Sequence, residues 1–173
     1  MALKAESLRV IRPMAEEDLE AVAAIESSTF PAPWPMEALR YELAENPFAS
    51  SFVAEVNGEV AGYAFFWTIY EQAHLINIAV AGPLRRMGLG EALLVHAMRH
   101  AASHGAEAIH LEVREGNEAA IRLYERYGFE VRGRSEKYYS DGTTAVLMEA
   151  SLVGWQGRFP QGGDPEVPKE VES

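Results

Sequence analysis

The sequence predicts one α/β domain, a mixed sheet of about seven strands flanked by about four helices, and three observations predict it. Two apolar runs, Ser51 to Val56 and Glu59 to Tyr70, flank Asn57-Gly58, a strong signal for a type I′ hairpin and hence for antiparallel pairing. From His74 onward the pattern changes to strand, amphipathic helix, strand, which signals a β-α-β unit. The chain has 173 residues and is 48% hydrophobic, enough for a real core and within the usual size of one domain.

Taken in order, Leu8 to Arg12 alternates like a short strand. Pro13 and the acidic cluster Glu16, Glu17, Asp18 open a helix through about Ser28, because negative charge is favoured at a helix N-terminus. Pro31, Pro33 and Pro35 interrupt it, and a second helix runs from Met36 to Ala44. The strand His74 to Val80 leads to a helix from Gly88 to about His104, with Leu93, Leu94, Ala97, Met98 and Ala101 on one face and Gly105 as its stop. Ala108 to Val113 is a buried strand and Glu118 to Tyr127 a helix. Strands at about Glu130 to Tyr138 and Thr143 to Ser151 then join through a turn around Asp141-Gly142. Residues 1–154 form the domain. Residues 155–173 are rich in Pro, Gly and acid without periodicity and read as a disordered tail.

Composition excludes several classes of function. The chain has no cysteine, so disulfides, thiolate metal sites and an acetyl-cysteine intermediate are ruled out. A net charge of −11 disfavours nucleic acid and suits a basic peptide, although acidity also simply keeps a protein in solution. The start MALKAESLRV lacks a secretory profile, and the longest apolar run, Val60 to Tyr70, is too short to span a membrane. The expectation is a soluble cytoplasmic protein without a membrane partner.

Arg85-Arg86-Met87-Gly88-Leu89-Gly90 lies between a strand and an amphipathic helix, where free N–H groups and the positive dipole end can hold an anion. A bare G-x-G also occurs as an ordinary turn. A dinucleotide fingerprint would need a third glycine at Leu93, and a Walker loop would need Gly-Lys-Ser/Thr, which is absent. The order LINIAV, RRMGLG, helix, LEVR, NEAAIRLYERYGF is more specific than any of its parts.

These segments resemble the GNAT acetyltransferase superfamily. R-x-x-G-x-G is similar to its coenzyme A pyrophosphate loop, and N-x-x-A-x-x-L-Y-x-x-x-G-F to its following helix. NIAV, LEVR and the tyrosine pair 138 and 139 further resemble the RimI-type ribosomal-protein-alanine N-acetyltransferases. The resemblance covers roughly Leu8 to Leu152. It implies a mostly antiparallel sheet that splays open in its middle, with acetyl-CoA as co-substrate and no metal. It also implies pantetheine pairing with the backbone of Ile78, Ala79 and Val80, and pyrophosphate held by the loop of Arg85, Arg86, Met87, Gly88, Leu89, Gly90 and Glu91. Asn117 is implied as a further cofactor contact. The implied partner is a protein N-terminal peptide, most specifically the N-terminal alanine of small-subunit ribosomal protein eighteen. Other protein N-termini, a small amine, or a non-catalytic acyl-CoA sensor are the alternatives.

An amine attacks a thioester only when neutral, yet an α-amine titrates at about 8 and lysine at about 10.4, so a base is needed. Alternation in IHLEV puts Ile109, Leu111 and Val113 on one face and His110 with Glu112 on the other. Composition alone makes Glu112 a solvent-facing or ion-paired carboxylate, whereas the resemblance makes it the general base. Tyr124 stands two helical turns after Asn117 and so shares its side of the helix. Its plain reading is a core aromatic, as for Tyr127, and the resemblance makes it the acid that protonates the leaving thiolate. Asn117 is equally suited to capping its helix. Phe30, Trp34, Tyr138, Tyr139 and the nearby Glu71 are implied to flank the acceptor, although Pro-Ala-Pro-Trp-Pro departs from the family's shorter segment. His96, His100 and His104 could mimic metal ligands at i, i+4, i+8, but a solvated helix flank accounts for them.

Overall fold

The computed structural model describes residues 8–155, together with the backbone of 169–170. The elements in chain order are β1 (Arg9–Pro13), α1 (Leu19–Thr29), α2 (Met36–Ala44), β2 (Ala49–Val56), β3 (Glu59–Ile69) and β4 (Gln72–Val80). They continue with α3 (Leu89–Ser103), β5 (Ala108–Arg114), α4 (Glu118–Arg126), β6 (Glu130–Ser135), β7 (Ala145–Ser151) and the two-residue β8 (Lys169–Glu170). The sheet order is β6-β7-β5-β4-β3-β2-β1-β8. The β4–β5 and β1–β8 pairs are parallel and all others antiparallel. Trp155, the first residue of the expected tail, packs half-buried against the core. Apart from the backbone of β8, the rest of that stretch lies outside the described residues.

Asn57 and Gly58 both have positive φ, 52° and 83°, as the type I′ hairpin between β2 and β3 requires. Alternation along β3 sends Phe65 and Phe66 to opposite faces of the sheet. Phe66 joins the larger core with Leu93, Leu94 and Met98 of α3 and Phe129, while Phe65 joins Leu19, Val22 and Ile25 of α1 and Leu39 of α2. A layer of helices on each face therefore fixes the register of the sheet between them.

Two features position the site. The β4–β5 ladder pairs only Gln72 to Leu75 with Ala108 to Leu111. The β3–β4 register then slips by one residue, Phe66 pairing with Leu75 and Phe65 with Asn77, so that Ile76 is the extra residue of a bulge. A bulge bends and twists its strand. Past it, β4 stays on β3 while β5 stays on β7 through Arg114, and the two halves of the sheet part.

The structure corrects two boundaries and one surface. β6 ends at Ser135 rather than Tyr138, and β7 begins at Ala145 rather than Thr143, so a loop of residues 136–144 replaces the expected turn. Side chains take this segment off the ladder: Asp141 accepts the Thr143 N–H at 3.0 Å and an Arg114 N–H at 2.8 Å, and Lys137 adopts φ 53°. Of the histidine stripe on α3, only His104 is on a solvated flank. His96 and His100 pack edge-on against Phe52, with centroids at 4.2 and 5.3 Å, and among the described residues no cluster suited to a metal occurs.

The entry to α1 is held by charge. Arg12 reaches both carboxylate oxygens of Asp18, at 2.7 and 2.8 Å, and Glu55 on β2 at 2.7 Å. Asp18 also accepts the Ala15 N–H at 2.8 Å, and its carboxyl is held below its ordinary value first by Arg12. Asp18→Asn should lower stability by about 2 kcal/mol at neutral pH in denaturant titrations, the scale of a charged hydrogen bond. A depressed carboxylate pKa stabilises above the unfolded value of about 3.9 and loses that contribution as pH falls through the folded value. The gap between wild type and variant should therefore close in acid. Gly62→Ala should also destabilise, by about 2 kcal/mol, because a Cβ there would stand 2.8 Å from the Ala79 carbonyl oxygen and β3 must move off β4.

Candidate active site

The parting of β4 and β5 opens a cleft of about 600 Å³. Its edges are the unpaired stretches Ile76 to Val80 and Glu112 to Arg114. Glu112, Tyr124, Asn117, Ile78, Phe30, Trp34, Tyr138 and Tyr139, singled out in the sequence from five separate segments, all line it.

Strand alternation sets Glu112 on the cleft side of β5, with Leu111 and Val113 buried behind it. Its Oε2 lies 2.5 Å from Nε2 of His74, which comes from β4 just before the bulge. His74 stacks on His110 with centroids 4.3 Å apart, and Trp67 meets it edge-on at 6.1 Å. Burial, followed by the neighbouring His74, lowers the pKa of His110 and keeps that imidazole neutral at physiological pH. Glu112 is thus partly buried and paired with an imidazole rather than with a permanent cation.

Asn117 caps α4, its Oδ1 accepting the Ala120 N–H at 3.3 Å, and two turns later Tyr124 projects to the same cleft. Tyr124 is 7% exposed and packs on Phe129 at 5.6 Å. Burial pushes its phenol up to about 12, with Tyr139 adding to the effect, so at neutral pH it is a hydrogen donor. The loop after β6 folds Tyr138 and Tyr139 over the opening, with the Arg114 guanidinium 4.1 Å from the Tyr139 ring centroid.

Beyond β4 a 3-10 turn, Gly82–Leu84, leads into the glycine loop. Gly88, at φ 80°, is the N-cap of α3, and the first cap-to-helix bond is Ala92 N–H to Gly88 O. The N–H groups of Leu89, Gly90 and Glu91 thus have no intrahelical acceptor. The side chains around them are turned elsewhere. Arg85 donates to Val80 O and Thr29 Oγ1, and Glu91 accepts the Tyr127 hydroxyl at 2.5 Å. Ala79 points into the core beneath α1, pairs with Tyr63 on β3 and does not line the cleft.

Glu71 is not brought to the cleft. It occupies the β3–β4 turn, where its carbonyl accepts the N–H groups of Glu107 and Ala108 and ties the turn to the start of β5. Sequence reasoning passed over His74, Asn77, Trp67 and Glu26, all of which line the cleft, and Arg9, which donates to Met87 O at 2.8 Å from behind the glycine loop. Glu26 carried a signal. It falls seven residues after Leu19 on the face of Val22 and Ile25, an acid where helical period calls for an apolar residue.

Comparison with known proteins agrees with this geometry. Residues 19–129 match the Acetyltransferase (GNAT) family. A Bacillus subtilis (strain 168) protein, provisionally named a ribosomal protein bS18-alanine N-acetyltransferase, is 37% identical over 82% of this chain and 95% of its own. An N-alpha-acetyltransferase of Sulfurisphaera tokodaii is 36% identical over 78% of this chain and 88% of its own. The crystal structure of the ribosomal-protein-S18-alanine N-acetyltransferase from Escherichia coli superposes with a TM-score of 0.78 at 30% identity, covering 91% of this chain and 97% of that one. With the splayed sheet, the glycine loop and these likenesses together, the chain belongs to the GNAT family of acetyltransferases and is an N-acetyltransferase.

Proposed function

We propose that this enzyme moves the acetyl group of acetyl-CoA to the α-amine of a protein N-terminus, and that the N-terminal alanine of ribosomal protein bS18 is its acceptor. The observation that carries the reading is the convergence of a carboxylate–imidazole pair, Glu112 with His74, and a buried phenol, Tyr124, on one cleft between parted strands. The bS18 acceptor rests on the bacterial relatives. The archaeal relative, named only for α-amine acetylation, favours a broader set of protein N-termini as the second reading.

The residues present fit acetyl-CoA. The β5-facing edge of β4 past the bulge has no strand partner and suits pantetheine as an added strand along Ile78, Ala79 and Val80, where the Val80 carbonyl already accepts Arg85 Nε at 3.0 Å. The free N–H groups at the start of α3 and the Arg86 to Glu91 backbone suit the pyrophosphate. Asn117, with its Oδ1 engaged in the cap, retains its amide donors for the cofactor. When bound, acetyl-CoA supplies an acyl group on a good leaving sulfur.

The acceptor amine enters between the Phe30–Trp34 loop and the Tyr138–Tyr139 loop. Glu112, steadied by His74, takes the amine proton directly or through water. The nitrogen lone pair attacks the thioester carbonyl carbon, the C–N bond forms, and the C–S bond breaks with its electrons going to sulfur. Tyr124 then donates its proton to the thiolate. A second proton leaves the nitrogen for water as the amide forms, so the ammonium has lost two protons and sulfur has gained one, and exchange with solvent restores Glu112 and Tyr124 with net release of one proton.

Two variants test these roles with an alanine-first peptide, read by thiol release. Tyr124→Phe keeps the ring on Phe129 but removes the donor, so kcat should fall about 100-fold while the KM for acetyl-CoA stays within about twofold. Glu112→Gln should slow transfer most below the amine pKa of about 8, where the acceptor is largely protonated. Equal loss at every pH would remove Glu112 as the base.

A further inference from the structure

Glu26 is 1% exposed, yet it borders the cleft and has no part in the proton transfers above. Its carboxylate accepts the Tyr63 hydroxyl from β3, an Asn77 amide N–H from β4 at 2.7 Å and the Trp34 main-chain N–H at 3.1 Å. All three donors are neutral. A carboxylate buried among neutral donors is an expensive choice for a helix face that an apolar residue would otherwise fill.

The three donors come from three different elements, and they meet where the acceptor loop faces the bulged half of β4. Pro31, Pro33 and Pro35 remove three main-chain donors from that loop. The Phe30 N–H is used on the main-chain oxygen of Glu26, at 3.0 Å. Glu26 therefore holds both ends of the segment, Phe30 through its backbone and Trp34 through its side chain. Asn77 is the residue directly after the bulge, so the same carboxylate also grips β4 where it leaves β5.

We propose that Glu26 is a positioning residue for the acceptor: it fastens the Phe30–Pro35 loop to Asn77 of β4 and Tyr63 of β3, keeping the acceptor wall at a fixed distance from the strand edge along which the thioester lies. The inference rests on the reading that this loop borders the acceptor. Apolar packing of Trp34 on Phe65, with centroids 6.0 Å apart, holds the ring but leaves the main chain free to pivot.

The test uses the full chain, with both substrates varied in steady state and amide exchange followed in the 30–36 segment. Glu26→Ala should raise the KM for an alanine-first peptide about tenfold, leave the KM for acetyl-CoA within about twofold, and speed exchange of the Trp34 amide about tenfold or more, as loss of a charged hydrogen bond implies. Glu26→Gln should fall between wild type and Glu26→Ala, because its amide oxygen can still accept the Trp34 N–H while its amide nitrogen cannot accept from Tyr63 and Asn77. An unchanged Trp34 amide in Glu26→Ala, or an equal rise in both KM values, overturns the assignment. Should Glu26→Ala not fold, Tyr63→Phe decides: it removes one donor and keeps the ring, and an acceptor KM equal to wild type overturns the assignment. If wild type acetylates alaninamide but no peptide, the peptide reading fails. Exchange at Trp34 and the KM for alaninamide then still decide the role of Glu26.

Discussion

The site depends on a sheet that is prevented from closing. Four residue pairs of parallel ladder join β4 to β5, and the bulge at Ile76 then turns β4 away. Without the bulge, Ile76 to Val80 and Glu112 to Arg114 would continue as partners and satisfy each other's main-chain groups. With it, both strands keep outer neighbours, so the opening costs no collapse of the core, and two edges of unpaired backbone face each other across the cleft. A ligand that completes either ladder restores bonding the fold has left unmade.

Polar groups within the domain follow from that opening. Glu26, Glu42 and Asp18 are the buried acids among the described residues, and each is answered by several donors. Glu42 accepts the Trp67 indole N–H at 2.8 Å, and Trp67 in turn meets His74 edge-on. Helices α1 and α2 thus grip the cleft from one face. On the other face, Asn117 and Tyr124 of α4 line it. Glu112 and His74 sit where strands β4 and β5 diverge, between two rigid layers.

The local rules of the sequence were enough for most elements. α2 matches its expected bounds, because prolines before it leave one place to start, and the Asn57-Gly58 hairpin forms because both residues tolerate positive φ. The direction of Glu112 followed from strand alternation, and the shared side of Asn117 and Tyr124 from helical period. What could not be read was long-range. The partnership of His74 with Glu112 spans 38 residues and depends on the parallel register of β4 and β5. The bulge has no residue signature, since Ile76 is an ordinary strand residue. Glu71 was expected near the acceptor, but the same register carries it to the far end of β4. The Tyr138–Tyr139 loop left the ladder because of Asp141 and Arg114, contacts invisible to pattern.

The most direct test is mass spectrometry of two peptides incubated with the enzyme and acetyl-CoA: the alanine-first N-terminal peptide of bS18, and an N-blocked peptide carrying a free lysine. The account predicts one acetyl group, on the free α-amine of the first peptide, and none on the second. Acetylation of the lysine, or of neither peptide by enzyme that binds acetyl-CoA, would contradict it.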